Sequence, residues 1–394
     1  MKKILLILGL LSICYTANAA EEYSFIYLNG SNVNDEKMYN WWTESVQKFH
    51  PVFKKKILND KKVCHWVFRD QEVNITDEPV LFYWGDKSKE DLGFVKEAVL
   101  TSKAMSSFLA YKFRDVLTAF LHDAIWVQKS HNMNPILDEL NEVVKKEAEQ
   151  GRKIVLYGYS AGTFITFKYL FNKLRYIDLL EIAKIYCKDD SFTNFVQQNP
   201  RQKTCLSAIE ASGLGVISSD DKVIFTSDRD KFINAYNQLD TVSENVCAPF
   251  DSVKGVVNFA SPLVLFYSNV SDPKVELSKY NKFLMKHIYE NDMFMLNLNY
   301  REDPLGFPLL KNATYEQMEA RTGLSIENPT GMVYEYSGIW SGRSFALAHT
   351  SYYSAKTIFP KSVRKILVKG YRFQYDPKYQ EKMLKRDRKK DELL

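Results

Sequence analysis

A serine between two glycines is the clearest chemical signal in this sequence. Residues 158–162 read Gly-Tyr-Ser-Ala-Gly, after an apolar run and before a helix-like stretch over 163–174. The two glycines allow a sharp turn from strand to helix, which holds Ser160 in a strained, exposed position at the start of the helix. Such a serine is a candidate nucleophile when a base removes its proton and a carboxylate orients that base. An ordinary turn serine is the alternative.

Four further segments give the motif a family resemblance. Residues 25–30 (Phe-Ile-Tyr-Leu-Asn-Gly) resemble a strand that leads into an oxyanion loop, and residues 256–263 resemble the strand that follows the nucleophile helix. Residues 296–304 resemble an acid-bearing strand, and residues 348–353 resemble a histidine loop. In this order the segments are similar to the α/β-hydrolases of the serine esterase and lipase type. The similarity covers about residues 23–357, apart from an insertion.

The resemblance implies the chain order serine, acid, histidine, and this order selects the base. The chain contains six histidines, which are His50, His65, His122, His131, His287 and His349. Only the last two follow Ser160. His287 lies in a helical stretch rich in Lys and Tyr before the acid-bearing strand, whereas His349 follows the last predicted strand. We therefore expect His349 to be the base.

The acid must follow the strand predicted over residues 293–298, because the nucleophile and the base also follow their strands in a parallel sheet. Asp292 precedes that strand, which places it about 20 Å from the required edge at ~3.3 Å per residue. Glu302 and Asp303 both follow the strand, with side chains that point in opposite directions in an extended segment. The proline after Asp303 favours such a backbone. Asp303 is the predicted acid, in agreement with the acid position that the resemblance implies.

The oxyanion of a tetrahedral intermediate needs backbone N–H donors. The resemblance implies one donor on the residue after the nucleophile, Ala161, and another on the loop after the first strand, at Gly30 or Ser31. Two residues depart from the family pattern, because Tyr159 and Asn29 stand where the family often has histidine. Neither position transfers a proton, so we expect these departures to bear on the shape of the substrate.

These positions imply an ester hydrolase that works through an acyl-enzyme on Ser160, with a small-molecule or lipid ester as substrate. An acyltransferase or a thioesterase would use the same residues. A protein with this fold that binds without catalysis is the hypothesis from another class. The sequence has no phosphate-loop, dinucleotide or His-Glu-x-x-His motif. We therefore expect neither a metal nor another cofactor.

Short apolar runs alternate along the chain with longer amphipathic stretches. The runs lack a regular polar alternation, which is typical of parallel strands buried on both faces. They cover residues 23–28, 80–84, 153–157, 255–260, 293–298 and 332–336. The clearest helical pattern covers residues 135–150. The alternation predicts a doubly wound, mostly parallel α/β sheet.

The chain divides into a core and two further regions. Residues 20–175 and 253–360 are predicted to form the hydrolase core. Residues 176–252 interrupt the alternation, and their position after the nucleophile helix predicts an inserted cap or lid; simple packing on the core is the alternative. Residues 361–394 form a basic C-terminal tail, which is typical of a solvated helix or a frayed end. Weak contact of this tail with an anionic membrane surface is a second interpretation.

The N-terminus has the three parts of a secretory signal peptide. Two lysines precede an apolar run over residues 4–11, and small residues follow. The run is too short for a membrane-spanning helix. We predict cleavage after Ala19 and a secreted or periplasmic protein. The net charge of +5 over 394 residues is too small to indicate a nucleic-acid partner.

Four cysteines remain after such cleavage, which are Cys64, Cys187, Cys205 and Cys247. An even number in an exported chain is compatible with two disulfides, for which three pairings exist. Four buried free thiols are the alternative.

Overall fold

In this computed structural model, seven parallel strands among the described residues form the central sheet of the protein. The structure describes residues 20–31, 36–100, 118–119, 122–123, 125–170, 215–217, 223–225, 252–263, 288, 293–306, 332–354 and 358–391. The strands are β1 (Glu21–Leu28), β2 (Val73–Ile75), β3 (Val80–Phe82), β4 (Lys153–Tyr159), β5 (Gly215–Ile217), β6 (Val223–Phe225), β7 (Val253–Phe259), β8 (Phe294–Tyr300) and β9 (Met332–Ile339).

The central sheet has the order β2-β1-β4-β7-β8-β9, and β3 also pairs with β1. All pairs in this sheet are parallel, whereas β5 and β6 form a separate antiparallel pair. Helices flank the sheet, which confirms the predicted α/β class. The ends of the strands differ from the predicted ends by up to three residues.

The helices lie between the strands and after the last one. They include α1 (Glu36–Leu58), α2 (Lys61–Trp66), α3 (Lys89–Leu100), α4 (Ser130–Glu149), α5 (residues 162–170), α6 (Phe345–Ala348), α7 (Ile358–Tyr375) and α8 (Pro377–Asp391). The helix predicted over 135–150 begins five residues earlier, with Pro135 inside it. Pro135 lies in the second turn of this helix, where it removes one backbone hydrogen bond.

Both faces of the sheet are buried, but against different side chains. Ile26 and Leu28 of β1 belong to a largely aliphatic cluster with residues of α4 and α5. Phe25 and Tyr27 belong to a cluster rich in aromatic rings with residues of α1 and α7. Successive side chains of a strand point to opposite faces, so one strand supplies both clusters. Each fully buried large apolar side chain contributes about 1.5–3 kcal/mol.

The first half of the basic tail belongs to the core. Helix α7 buries Val363, Ile366 and Leu367, which recur at the spacing of one helix face. The prediction of a solvated tail is therefore wrong for this helix. The prediction was based on the lysines and arginines of this helix, and this charge pattern did not indicate its apolar face. Helix α8 is the polar part of the tail.

Several predictions concern residues that lie wholly or partly outside the described ranges. The predicted signal peptide (1–19) lies outside the described residues, and so does the predicted cap (176–252) except for β5, β6 and residue 252. Cys64 is a free thiol that donates to the carbonyl oxygen of Leu58 at 3.3 Å. The other three cysteines of the predicted mature chain are not among the described residues. Within the described ranges, no helix has the length and hydropathy needed to span a bilayer.

Candidate active site

Ser160 lies in the tight turn between β4 and α5. Its φ is +51°, in the left-handed region that is costly for a residue other than glycine. Its backbone N–H donates to the carbonyl oxygen of Phe259 at 3.1 Å, which ties the turn to the end of β7. The residue is only 2% exposed, although the sequence predicted an exposed serine. His349 and Gly30 pack directly against it and account for the difference.

The two glycines of the motif are needed because other chain segments approach the turn closely. A Cβ atom on Gly158 would lie 2.7 Å from Oδ1 of Asn258, and one on Gly162 would lie 2.7 Å from the carbonyl oxygen of Asn29. Real Cβ atoms do not come so near to such atoms. The motif therefore serves the close packing of β1, β7 and α5 around the serine.

The structure brings Ser160, His349 and Asp303 together in one chain of hydrogen bonds. Nε2 of His349 lies 2.9 Å from Oγ of Ser160. Nδ1 of His349 lies 2.9 Å from Oδ1 and 3.1 Å from Oδ2 of Asp303. The carboxylate can only accept, so Nδ1 carries a proton and Nε2 is left to accept the proton of the serine hydroxyl. This is the arrangement of a nucleophile, a base and an orienting acid.

Glu302, the other acid that follows β8, is placed differently. Glu302 accepts from the backbone N–H and from the hydroxyl of Ser341, both at 3.1 Å. Asp292 lies outside the described residues. The Asp303 carboxylate is fully buried, and Oδ1 also accepts from the N–H of Leu305 at 2.9 Å. The geometry therefore favours Asp303 as the partner of His349.

Two of the predicted oxyanion donors, Ala161 and Gly30, lie beside the serine. Among the described residues, the N–H groups of Ala161 and Gly30 donate to no protein acceptor. A Cβ atom on Gly30 would lie 2.7 Å from Cβ of Ser160, so only a glycine fits there. The hydroxyl oxygen of Ser31 is buried and has no partner in the part of the chain that the structure describes. These groups can receive a negative oxygen next to the nucleophile.

Asn29 holds the loop that carries Gly30. Its side-chain amide donates to the carbonyl oxygen of Gly30 at 3.0 Å, and its Oδ1 accepts from the N–H of Trp84 at 3.0 Å. The indole of Trp84 donates to the carbonyl oxygen of Asn29 at 2.8 Å. The expectation that Asn29 bears on substrate shape missed this role. The only signal in the sequence was a polar residue, Asn29, directly after an apolar run that predicts a strand.

Tyr159 holds the histidine loop. Its hydroxyl donates to the carbonyl oxygen of His349 at 2.8 Å, and its ring centroid lies 5.6 Å from that of His349. Burial, and then the charge of Asp303, raise the pKa of Tyr159 well above its ordinary value, so the hydroxyl remains a donor. This second departure from the family pattern also supports a loop.

A buried polar network lies beneath the serine turn. The Thr163 hydroxyl donates to the carbonyl oxygen of Ser160 at 2.7 Å and lies 3.0 Å from Oγ of Ser261. The N–H of Ser261 donates to Oδ1 of Asn299 at 3.0 Å. The network connects the turn at Ser160 to β8, the strand that leads to Asp303. Sequence reasoning did not find it, because its members are far apart in the chain.

No group of three or more potential metal ligands occurs among the described residues. Comparisons with models of protein families, with curated proteins and with solved structures found no match to this chain.

Proposed function

We propose that the protein is an exported serine hydrolase of the α/β-hydrolase fold that cleaves carboxylic esters through an acyl-enzyme on Ser160. The hydrogen-bonded chain from Ser160 through His349 to Asp303 carries this proposal. The nucleophile follows β4, the acid follows β8 and the base follows β9, so all three meet at the carboxyl edge of one sheet. The predicted cap (176–252) would shape access to this edge.

The first half of the reaction forms the acyl-enzyme. Nε2 of His349 takes the hydroxyl proton as Oγ of Ser160 attacks the ester carbonyl carbon. The carbonyl oxygen becomes an oxyanion, which the N–H groups of Ala161 and of Gly30 or Ser31 would stabilise. The bond to the alcohol oxygen then breaks, and His349 returns the proton to that oxygen. The alcohol leaves, and the acyl group stays on the serine.

The second half releases the acid. His349 takes a proton from water as the water oxygen attacks the acyl carbon. The tetrahedral intermediate collapses, the bond to Oγ breaks, and the proton returns to Ser160. Asp303 remains ionised and stabilises the imidazolium that forms in each half.

A fluorophosphonate probe tests the proposal directly. We expect the native protein to be labelled at Ser160 and the S160A variant to remain unlabelled, with turnover of an aryl ester reduced by a factor of about 10⁴ or more. S354A is the matched control, because this hydroxyl donates to the carbonyl oxygen of Ser351 outside the triad. A folded native protein that is not labelled, or an S160A variant that is labelled equally, would contradict the proposal.

Two measurements extend the test. Aryl esters of increasing acyl length would show which substrates the site accepts. For export, N-terminal sequencing of the processed protein should begin at Ala20. A mature protein that retains residues 1–19 would contradict the proposed export while leaving the proposed reaction intact.

A further inference from the structure

Tyr352 lies three residues after His349 and contacts both the acid and the backbone of β8. Its hydroxyl oxygen lies 2.9 Å from Oδ2 of Asp303 and 2.6 Å from the backbone nitrogen of Tyr300. A backbone N–H can only donate, so the hydroxyl oxygen accepts from Tyr300 and its single proton is left for Asp303. The fold therefore sets the direction of this bond: Tyr352 donates and the carboxylate accepts.

The ring of Tyr352 is held as firmly as its hydroxyl. It is 0% exposed and stacks on the ring of Tyr300, with centroids 3.9 Å apart and planes inclined by 16°. Burial, and then the charge of Asp303, raise the pKa of Tyr352 well above its ordinary value. The hydroxyl consequently keeps its proton at neutral pH.

We propose that Tyr352 is a positioning residue that sets the orientation and the effective charge of Asp303 towards His349; this inference rests on the proposed function. Two donors from different loops hold the carboxylate, the N–H of Leu305 on Oδ1 and the hydroxyl of Tyr352 on Oδ2. The hydroxyl proton offsets part of the negative charge of Asp303. It also ties the histidine loop to the acid, so that the two move together.

The other groups that face this pair come from several elements. Tyr159 ends β4, Tyr300 ends β8, and the pKa of each is raised chiefly by burial. Glu302 and Arg343 are the charged groups that interact with Tyr300 besides Asp303. Within the described ranges, none of these four donates a hydrogen bond to Asp303. Tyr352 and His349 are the two side chains there that do.

The variant Tyr352→Phe removes the hydroxyl and keeps the stacked ring. We expect kcat for an aryl ester to fall by about tenfold with KM unchanged, because Asp303 loses the orientation towards His349 that the hydroxyl sets. Asp303 without this donor attracts the imidazolium more strongly, so the acidic limb of the pH profile of kcat/KM should move to higher pH, by about half a unit. Tyr353→Phe is the matched control, because this neighbouring buried tyrosine makes no hydrogen bond to Asp303, and its profile should match the native one.

The reverse change should move the limb the other way. A 3-fluorotyrosine at position 352 has a more acidic hydroxyl, which is a stronger donor, so the limb should move to lower pH. This residue retains the ring and the hydroxyl, so it tests the inference even if Y352F does not fold. In a D303N background, the Y352F change should no longer alter the profile, because the hydroxyl acts through the carboxylate. A limb that stays in place or moves in the wrong direction would overturn the inference, even with a lower kcat.

Proton NMR gives a measurement that needs no substrate. The resonance of the proton on Nδ1 of His349 should move downfield in Y352F, since the bond to Asp303 becomes stronger, and stay in place in Y353F. An unmoved resonance in Y352F would overturn the inference whether or not the protein is active. Absence of fluorophosphonate labelling on Ser160 would instead overturn the proposed function, so the two failures are distinguishable.

Discussion

Two regions of the molecule each contain a histidine with both ring nitrogens hydrogen-bonded. On the buried face of α1, Nε2 of His50 lies 2.9 Å from the carbonyl oxygen of Thr76, and Nδ1 lies 3.0 Å from the hydroxyl of Tyr27. At the carboxyl edge of the sheet, His349 lies between Ser160 and Asp303. The His50 residue is 0% exposed, whereas the His349 side chain is 16% exposed. Both rings are held, but their partners differ.

The partners decide what each histidine can do. The carbonyl oxygen of Thr76 accepts, so Nε2 of His50 carries the proton and Nδ1 accepts from Tyr27. Burial is the main cause that lowers the pKa of His50, which favours the neutral ring, and the charges of Glu78 and Asp77 oppose this only in part. His349 instead has a hydroxyl to deprotonate, a carboxylate to stabilise the cation and an opening to solvent. The chemistry of the partners separates a structural histidine from a candidate base.

The largest expected effect tests the carboxylate of the second region. Asp303→Asn should leave the fold intact and lower kcat by about 10⁴-fold, because an amide favours the wrong histidine tautomer. Steady-state kinetics with an aryl ester, with circular dichroism for the fold, would measure this. Near-native turnover in D303N would remove the distinction between the two histidines.

A smaller effect is expected at the oxyanion loop. Gly30→Ala places a Cβ atom 2.7 Å from Cβ of Ser160, which must displace the loop. We expect kcat to fall by about 100-fold, as for the loss of one oxyanion donor. Labelling rates with a fluorophosphonate would show the same loss. If G30A retained the native rate, the N–H of Gly30 would have no part in the site.

At His50, we expect a substitution to change stability and to leave turnover unchanged. Because the pKa of His50 is lowered in the fold, the unfolded chain binds more protons below its ordinary value of about 6.5. The free energy of unfolding should therefore fall as the pH drops from 7 to 5, and His50 should add no pH dependence above about pH 7. In His50→Gln this part of the slope should disappear, while kcat at pH 7 stays within about twofold of the native value.

Thermal unfolding of both proteins at several pH values would measure the difference. An H50Q variant that loses turnover at pH 7 while remaining folded would show that the region beneath α1 also serves the reaction. An equal slope in the two proteins would assign the acid sensitivity to other groups.

The smallest effect is expected at Glu302. The variant Glu302→Gln keeps an oxygen that can accept from Ser341, so we expect kcat to change by less than about threefold. Kinetics of E302Q beside D303N would measure the contrast between neighbouring acids. A large loss in E302Q with near-native D303N would move the acid to position 302.

The sequence alone determined the local parts of this protein. The strand before Ser160, the sharp turn and the helix after it follow from apolar runs and from the two glycines that flank the Tyr-Ser-Ala segment. The positions of His349 and Asp303 followed from their places after predicted strands, with the family resemblance. Such features depend on steric and hydrophobic preferences over a few residues, which a single sequence displays.

Only the tertiary structure decided which distant residues support those parts. The contacts of Tyr352 with Asp303, of Asn29 with Trp84 and of Ser261 with Asn299 join segments that are 49, 55 and 38 positions apart. The place of α7 in the core was likewise shown only by the packing of its apolar face against the sheet. Strand register and close packing bring these residues together, because each buried polar group must find a partner wherever the fold supplies one. No local pattern in the chain records which partner that will be.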